Sequence, residues 1–315
     1  MELRICHLTD PSRIPELRDL FAQCLAGTTP ETWVWKHFTD KGLPLGTLLV
    51  ALDETDKIRA IFGMQPAWYR KGEERILLVQ TEDLVIDPAC RGQGLMRRLY
   101  DYTMDYFAGQ GAAGVTAFSC NEKSYPIFLR YGCQELGHIG TISTPKTLLP
   151  AFWRRSAWDK NGWQIRICDG MPEDLFCEPC DTAFKMENDY RTIQWKFAQD
   201  PDRTYQWLTI RKNGELVGWF VFYVNKGRVR SAVNICHWEL KDCVDATILK
   251  KAVGVLQRLG NWVGLWGIQT PAHRALWQAA GLIDEEPMSD HFMYHITDGR
   301  TPPTQWSITK VDSDN

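Results

Sequence analysis

A short aromatic–lysine cluster occurs twice in this chain. Trp35-Lys36-His37-Phe38 is echoed by Trp195-Lys196-Phe197, 160 residues later. The same alternation of elements is expected around each copy. Apolar runs read as strands at Leu3–His7, Leu48–Leu52, Arg59–Met64, Ile76–Ile86 and Gly114–Phe118. Ile14, Leu17, Leu20, Phe21 and Cys24 form a helical stripe, and further helices are expected at Glu31–Phe38, Gly94–Phe107 and Ser124–Tyr131. That order is βααβββαβα. It returns after residue 163, with strands at Gln164–Cys168, Gln206–Arg211, Leu216–Val224, Val229–Glu239 and Trp262–Gln269. Asn213-Gly214 splits two of them as a hairpin signal, and helices follow at Val244–Leu259 and Ala272–Ala280. A period this long means a duplicated domain and not a solenoid. The expected fold is α/β (α+β): two tandem domains, each a mixed, mostly antiparallel sheet flanked by helices. The expected division is 1–143, a linker at 144–162 rich in Pro, Trp and Arg, a second copy at 163–298 and a tail at 299–315.

The first copy contains one turn with chemistry in it. Ile86-Asp87-Pro88-Ala89-Cys90-Arg91-Gly92-Gln93-Gly94-Leu95-Met96 ends a strand, turns on glycines and opens an amphipathic helix. The amides of a helix N-terminus have no partner within the helix, and glycines let a ligand approach the backbone. Together they make a seat for a pyrophosphate. The segment lacks the Gly-Lys-Ser/Thr of a P-loop and the third glycine of a dinucleotide fold. In the second copy Glu239-Leu240-Lys241-Asp242 stands at this point, so the turn is missing and that copy is degenerate.

These residues resemble the GNAT (Gcn5-related N-acetyltransferase) superfamily, whose acyl-CoA loop reads R/Q-x-x-G-x-G/A. Arg91 and Gly94 match, and Met96 replaces the usual small residue. A second match is Asn121-Glu122-Lys123-Ser124-Tyr125-Pro126-Ile127-Phe128 through Gly132-Cys133, similar to N-x-x-A-x-x-L-Y-x-x-x-G-F. Asp83, Pro88, Arg91, Asn121 and Ser124 also look like two-domain acetyltransferases encoded among surface-polysaccharide genes. The resemblance implies acetyl-CoA, or another short acyl-CoA, as donor. It implies that the backbone of Cys90, Arg91, Gly92, Gln93, Gly94 and Leu95 holds the donor, with Asn121 and Ser124 beside it and amides around Val85 and Ile86 facing the oxyanion. The family's general-acid tyrosine falls on Phe128, which carries no proton to give; Tyr125 is the available donor or pantetheine contact.

An acceptor amine near pKa ~10 is mostly protonated at neutral pH and needs a base. Glu82 and Asp83 are the candidates. Strand alternation sends them to opposite faces unless a bulge intervenes, with Leu84 and Ile86 on the Glu82 face. The expected reaction is N-acylation of a small amine, an amino sugar foremost, with polyamines and protein lysines as alternatives. A non-catalytic acyl-CoA-binding or regulatory module is the other reading, favoured by Phe128.

Composition narrows the rest. The chain has 315 residues, of which 44% are hydrophobic, enough for a real core. Its 36 basic and 39 acidic residues leave a net charge of -3, which disfavours a nucleic-acid partner. The N-terminus carries no apolar leader and no apolar run reaches membrane-spanning length, so a cytoplasmic location is expected. The ten cysteines are scattered, and Cys177-Glu178-Pro179-Cys180 lacks a second ligand pair, so reduced thiols and no metal are expected. Eleven of the fourteen tryptophans lie at or beyond Trp153; such residues can stack on sugars, but at apolar-periodic positions they read as core.

Overall fold

A computed structural model describes residues 2–24, 30–39, 47–120, 122–145, 156–226, 231–285 and 291–309. The first half runs β1 (Arg4–His7), α1 (Ile14–Cys24), α2 (Pro30–Phe38), β2 (Thr47–Leu52), β3 (Ile58–Lys71), β4 (Glu74–Ile86), α3 (Leu95–Ala108), β5 (Gly114–Cys120), α4 (Tyr125–Arg130), β6 (Gln134–His138) and β7 (Gly140–Ser143). The second runs β8 (Ala157–Lys160), β9 (Trp163–Cys168), β10 (Phe184–Met186), α5 (Tyr190–Ile193) with a π-helical turn to Ala198, β11 (Gln206–Lys212), β12 (Glu215–Lys226), β13 (Ser231–Leu240), α6 (Ala246–Leu256), β14 (Trp262–Gly267), α7 (Pro271–Ala279), β15 (Ile283–Asp284), β16 (His291–Ile296) and β17 (Trp306–Ser307).

The expected duplication is present as two sheets of matching order. The first is β1-β2-β3-β4-β5-β16-β6, and the second is β15-β7-β14-β13-β12-β11-β9-β8. Along these paths both are antiparallel except at one place; β10 and β17, which join the first sheet through β3, run parallel to each other. β4 runs parallel to β5 from Leu78↔Gly114 to Thr81↔Ala117, and β13 runs parallel to β14 from Ala232↔Trp262 to Ile235↔Leu265. Beyond these short ladders the strands part, leaving a wedge in each sheet.

Two strands change places. β16 comes from the second half but pairs with β5 and β6 of the first sheet. β7 comes from the first half but pairs with β14 and β15 of the second. Sheet membership thus crosses residue 143 in both directions. Thr144, inside the expected linker, continues the second sheet: its amide donates to Val263 O at 2.8 Å. β8 also lies in that stretch and forms a hairpin with β9; residues 146–155 lie outside the described residues. Periodicity does not reveal β6, β7, β8, β10, β15, β16 and β17, which are short. Only pairing with distant strands makes such segments β.

Apolar faces explain the layers. α3 buries Leu95, Leu99, Tyr100, Thr103 and Phe107 at helical spacing against one face of the first sheet. α1 and α2 cover the other face through Ile14, Leu17, Leu20 and Trp33. A separate cluster is shared between the halves and contains Tyr69, Phe118, Phe184, Trp207, Trp219, Phe292, Trp306 and Ile308. The tryptophans of the second half are therefore largely core: Trp207, Trp219 and Trp277 are fully buried. Among the described residues no helix is long and apolar enough to cross a membrane.

The repeated cluster sits where the halves meet. Trp35 Nε1 donates to Trp195 O at 3.0 Å, Trp195 Nε1 donates to Trp35 O at 3.2 Å, and the rings stack at 4.8 Å. Each indole thus satisfies the other copy's backbone while burying its ring. Trp35→Ala should cost about 3–5 kcal/mol in urea unfolding. Trp35→Phe, which keeps most of the apolar body, should cost about 1–3 kcal/mol for the carbonyl left without its donor. Losses below 1 kcal/mol in both would show that this contact does not hold the halves together.

Candidate active site

β4 brings the two candidate acids together because of one extra residue. On β3, Ile61 faces Val85 and Gly63 faces Glu82, so Phe62 alone opposes both Asp83 and Leu84. This is a β-bulge, and Asp83 adopts φ 46 within it. The bulge corrects the simple alternation. Leu84 and Ile86 pack with the α3-side cluster and Val85 with the α1–α2 side. Glu82 does not share the Leu84 face; it meets side chains of α2 together with Asp83. The two carboxylates, expected on opposite faces, converge on one cation.

That cation is Lys36. Its Nζ lies 3.2 Å from Asp83 Oδ2 and 3.7 Å from Glu82 Oε2. Gln65 Nε2 donates to Glu82 Oε1 at 2.9 Å, and His37 Nε2 stands 3.9 Å from the same oxygen. The Glu82 side chain is fully buried and that of Lys36 is 8% exposed. A carboxylate so deeply placed needs such partners to stay ionised. Gly63 makes the room: a Cβ there would sit 2.9 Å from Glu82 Cγ and 3.2 Å from His37 Cε1. Ligand-type atoms of His37, Glu82 and Asp83 lie within 4.8 Å of one another, but the lysine ammonium already supplies their positive charge. Lys36, His37 and Gln65 were not among the expected site residues. The repeated Trp-Lys pair was the available signal for Lys36.

Glu82 and Asp83 are the first residues past the Thr81↔Ala117 end of the parallel ladder, so they stand at the mouth of the wedge. The turn expected to bind the donor follows directly. Asp87 accepts from Ala89 N at 2.9 Å and from Arg59 Nη1 at 2.8 Å, and Arg59 Nε is held by Asp53 at 2.7 Å. Cys90 and Leu95 are buried beneath the turn, while Arg91, Gly92, Gln93 and Gly94 are exposed. Arg91 Nε and Gln93 Nε2 bond back to Ile86 O and Ala89 O. Gly94 is the N-cap of α3 at φ 73, a left-handed conformation that glycine adopts without strain. The amide of Arg98 bonds back to Gly94 O, which leaves the preceding amides as the orphan donors of a helix start.

Across the wedge, Ser124 caps α4 and its carbonyl accepts from Ile127 and Phe128. Asn121 lies outside the described residues. Phe128 is buried in the α3-side cluster. The Tyr125 hydroxyl donates to Glu135 Oε2 at 2.6 Å, and its ring stacks on His291, which also bonds Glu135. That hydrogen bond, with burial second, raises the Tyr125 pKa. Tyr125 is thus tied to β6 and β16, and Glu135 and His291 are neighbours the sequence did not reveal.

The second wedge differs. Ile268 and Ile308 exchange backbone hydrogen bonds of 2.9 and 2.8 Å, and Thr309 Oγ1 lies 2.7 Å from His237 Nδ1 on β13. The chain's own residues 308 and 309 therefore bridge the space between β14 and β13. His237 and Lys185 engage Glu239 there. Burial pushes the Glu239 carboxyl up, but Lys185 and His237 outweigh it and hold it below its ordinary value. A cavity of about 730 Å³ lies beside this network, lined by Trp238, Lys241, Asp242 and His273. Among the described residues no glycine lines it.

Residues 14–133 match the Acetyltransferase (GNAT) family. No curated protein is similar enough in sequence to count as a match. Among solved structures, a GCN5-related N-acetyltransferase from Anabaena variabilis ATCC 29413 shares 13% identity at TM-score 0.66, over 94% of this chain and 73% of that one. A conserved protein from Enterococcus faecalis V583, described as a probable N-acyltransferase, shares 11% identity at TM-score 0.66, over 94% and 72%. A tandem GNAT protein from the clavulanic acid biosynthesis pathway shares 11% identity at TM-score 0.57, over 94% and 98%. The last likeness spans both halves of each chain, in keeping with two tandem domains.

The Asp87 carboxyl is held below its ordinary range, first by the Ala89 amide and then by Arg59. A depressed folded pKa gives stability that is complete above the unfolded value near 3.9 and is lost as pH falls through the folded one. Wild type should therefore be more stable than Asp87→Asn at pH 7 and pH 5, by the same amount. The gap should close progressively below about pH 4 in thermal unfolding at a series of pH values. A gap unchanged into strong acid would mean that the carboxylate is not engaged.

Proposed function

Because residues 14–133 match the GNAT acetyltransferase family, we propose that the chain transfers an acetyl or other short acyl group from CoA to a small amine at the first wedge. The observation that carries this reading is the convergence of three features on one strand. β4 leaves β5 after Thr81, bulges at Asp83 to bring two carboxylates together, and ends in the Gly92–Gly94 turn.

Each feature has a chemical task. The backbone amides from Gly92 onward, at the N-terminus of α3, favour the donor's pyrophosphate. The wedge admits the thioester arm between β4 and β5. Backbone amides near Val85 and Ile86 are the proposed donors to the developing oxyanion. Asp83 takes the proton of the incoming amine, with Glu82 behind it holding the local field negative. The acceptor enters from the α2 side, where Lys36 and His37 line its path. An amino sugar is the foremost acceptor class. Lys36 already neutralises one of the two carboxylates, which leaves little excess charge to select a polyamine.

Phe128 supports the second reading, a domain that binds acyl-CoA without transferring it. Calorimetry and a thiol-release assay separate the two. Wild type should bind acetyl-CoA, and Gly94→Glu should bind at least tenfold more weakly because it strains the turn and repels the phosphates. Asp83→Asn keeps a residue that tolerates the left-handed bulge but removes the base. It should bind acetyl-CoA normally while CoA release with an amine acceptor falls by about 10²–10⁴-fold. Binding without any release in the wild type, across an amine panel, would favour the binding module.

A further inference from the structure

The acceptor side of the first wedge already contains an amine. Lys36 Nζ lies 3.2 Å from Asp83 Oδ2 and 3.7 Å from Glu82 Oε2, and those are the two residues at which the wedge opens. Its side chain is 8% exposed, so bulk water does not compete strongly for it. Its backbone is fixed by the neighbouring residue, because Trp35 is bonded in both directions to Trp195. A primary amine held against a candidate base, at the point where a bound thioester would enter, has the arrangement an acyl acceptor needs.

We infer that Lys36 is itself acylated by the donor, a self-modification that rests on the proposed acyl-CoA site. The step balances as an ordinary aminolysis. The Lys36 ammonium gives one proton to the Asp83 carboxylate, and the neutral amine attacks the thioester carbonyl. The N–C bond forms, the C–S bond breaks, and the second proton leaves with the CoA thiolate as free thiol. The product is a neutral N-acyl lysine. Glu82 and Asp83 then lose their paired cation, so the charge that meets an external amine differs before and after modification.

The test is peptide mass analysis of the full chain after incubation with acetyl-CoA, run beside calorimetry of acetyl-CoA binding. The Lys36 peptide should gain about 42 Da. The gain should fall at least tenfold in Gly94→Glu, and also in wild type competed with excess free CoA, which needs no variant to fold. The exposed Lys250 and Lys251 should show the same background in all samples. Asp83→Asn should slow the gain while still binding acetyl-CoA. Binding of acetyl-CoA with Lys36 unmodified would overturn the self-acylation and leave the proposed function standing. Modification of Lys36 that free CoA does not suppress would overturn it as mere chemical background. Absence of binding to the folded wild type would overturn both.

Discussion

The exchange of β7 and β16 is the constraint on which the rest of the molecule depends. Without β16, β5 would present an open edge on the side away from β4. An unpaired edge next to a place where strands already part is a weak point, because the backbone groups on both sides would face water or another chain. With β16 in place, β5 is paired on one side along its length and free to diverge from β4 on the other. The donated strand thus steadies the wall of the first wedge. The apolar cluster around Trp207, Trp219, Phe292 and Trp306 and the paired Trp35–Trp195 rings bury the seam between the halves.

On that frame, the candidate chemistry turns on a single inserted residue. A regular β4 would point Glu82 and Leu84 the same way and divide the two acids between the faces. The bulge at Asp83 and Leu84 brings both acids to Lys36 instead. Backbone strain here is coupled to electrostatics. A left-handed aspartate costs about 1 kcal/mol or more by itself, and the ion pair with Lys36 helps hold it. Gly63 permits the close approach of Glu82 and His37. The second half also has a bulge at this level, between the Val221 and Phe222 registers, but its wedge is bridged by Ile308 and Thr309.

Much of this was legible in the chain, and the reasons for the gaps are physical. Long periodic segments such as β4 and α3 declare themselves because burial imposes a period on side chains. The Gly92–Gly94 turn is visible because few residues adopt its backbone. β16 is six residues long and reads as part of the second copy; nothing local says that its partners are β5 and β6. The bulge is invisible for a similar reason, since register is a property of two strands and not of one. Lys36 was passed over because a lysine on a helix is usually solvated, and its burial follows from the Trp35 contact with the other half. Glu135 and His291, which tether Tyr125, sit on two of the strands that were missed.

The strand exchange also bears on how such a chain can change over generations. After a duplication, a copy that has lost its donor-binding turn would ordinarily be free to decay or be deleted. Here the copy without the turn supplies β16 to the sheet that bears the candidate site, and the copy with it supplies β7 in return. A deletion that removed the second half would strip β10, β16 and β17 from the first sheet. The two copies form one structural unit, and a substitution in the half without the glycine turn can reach the first wedge through β16.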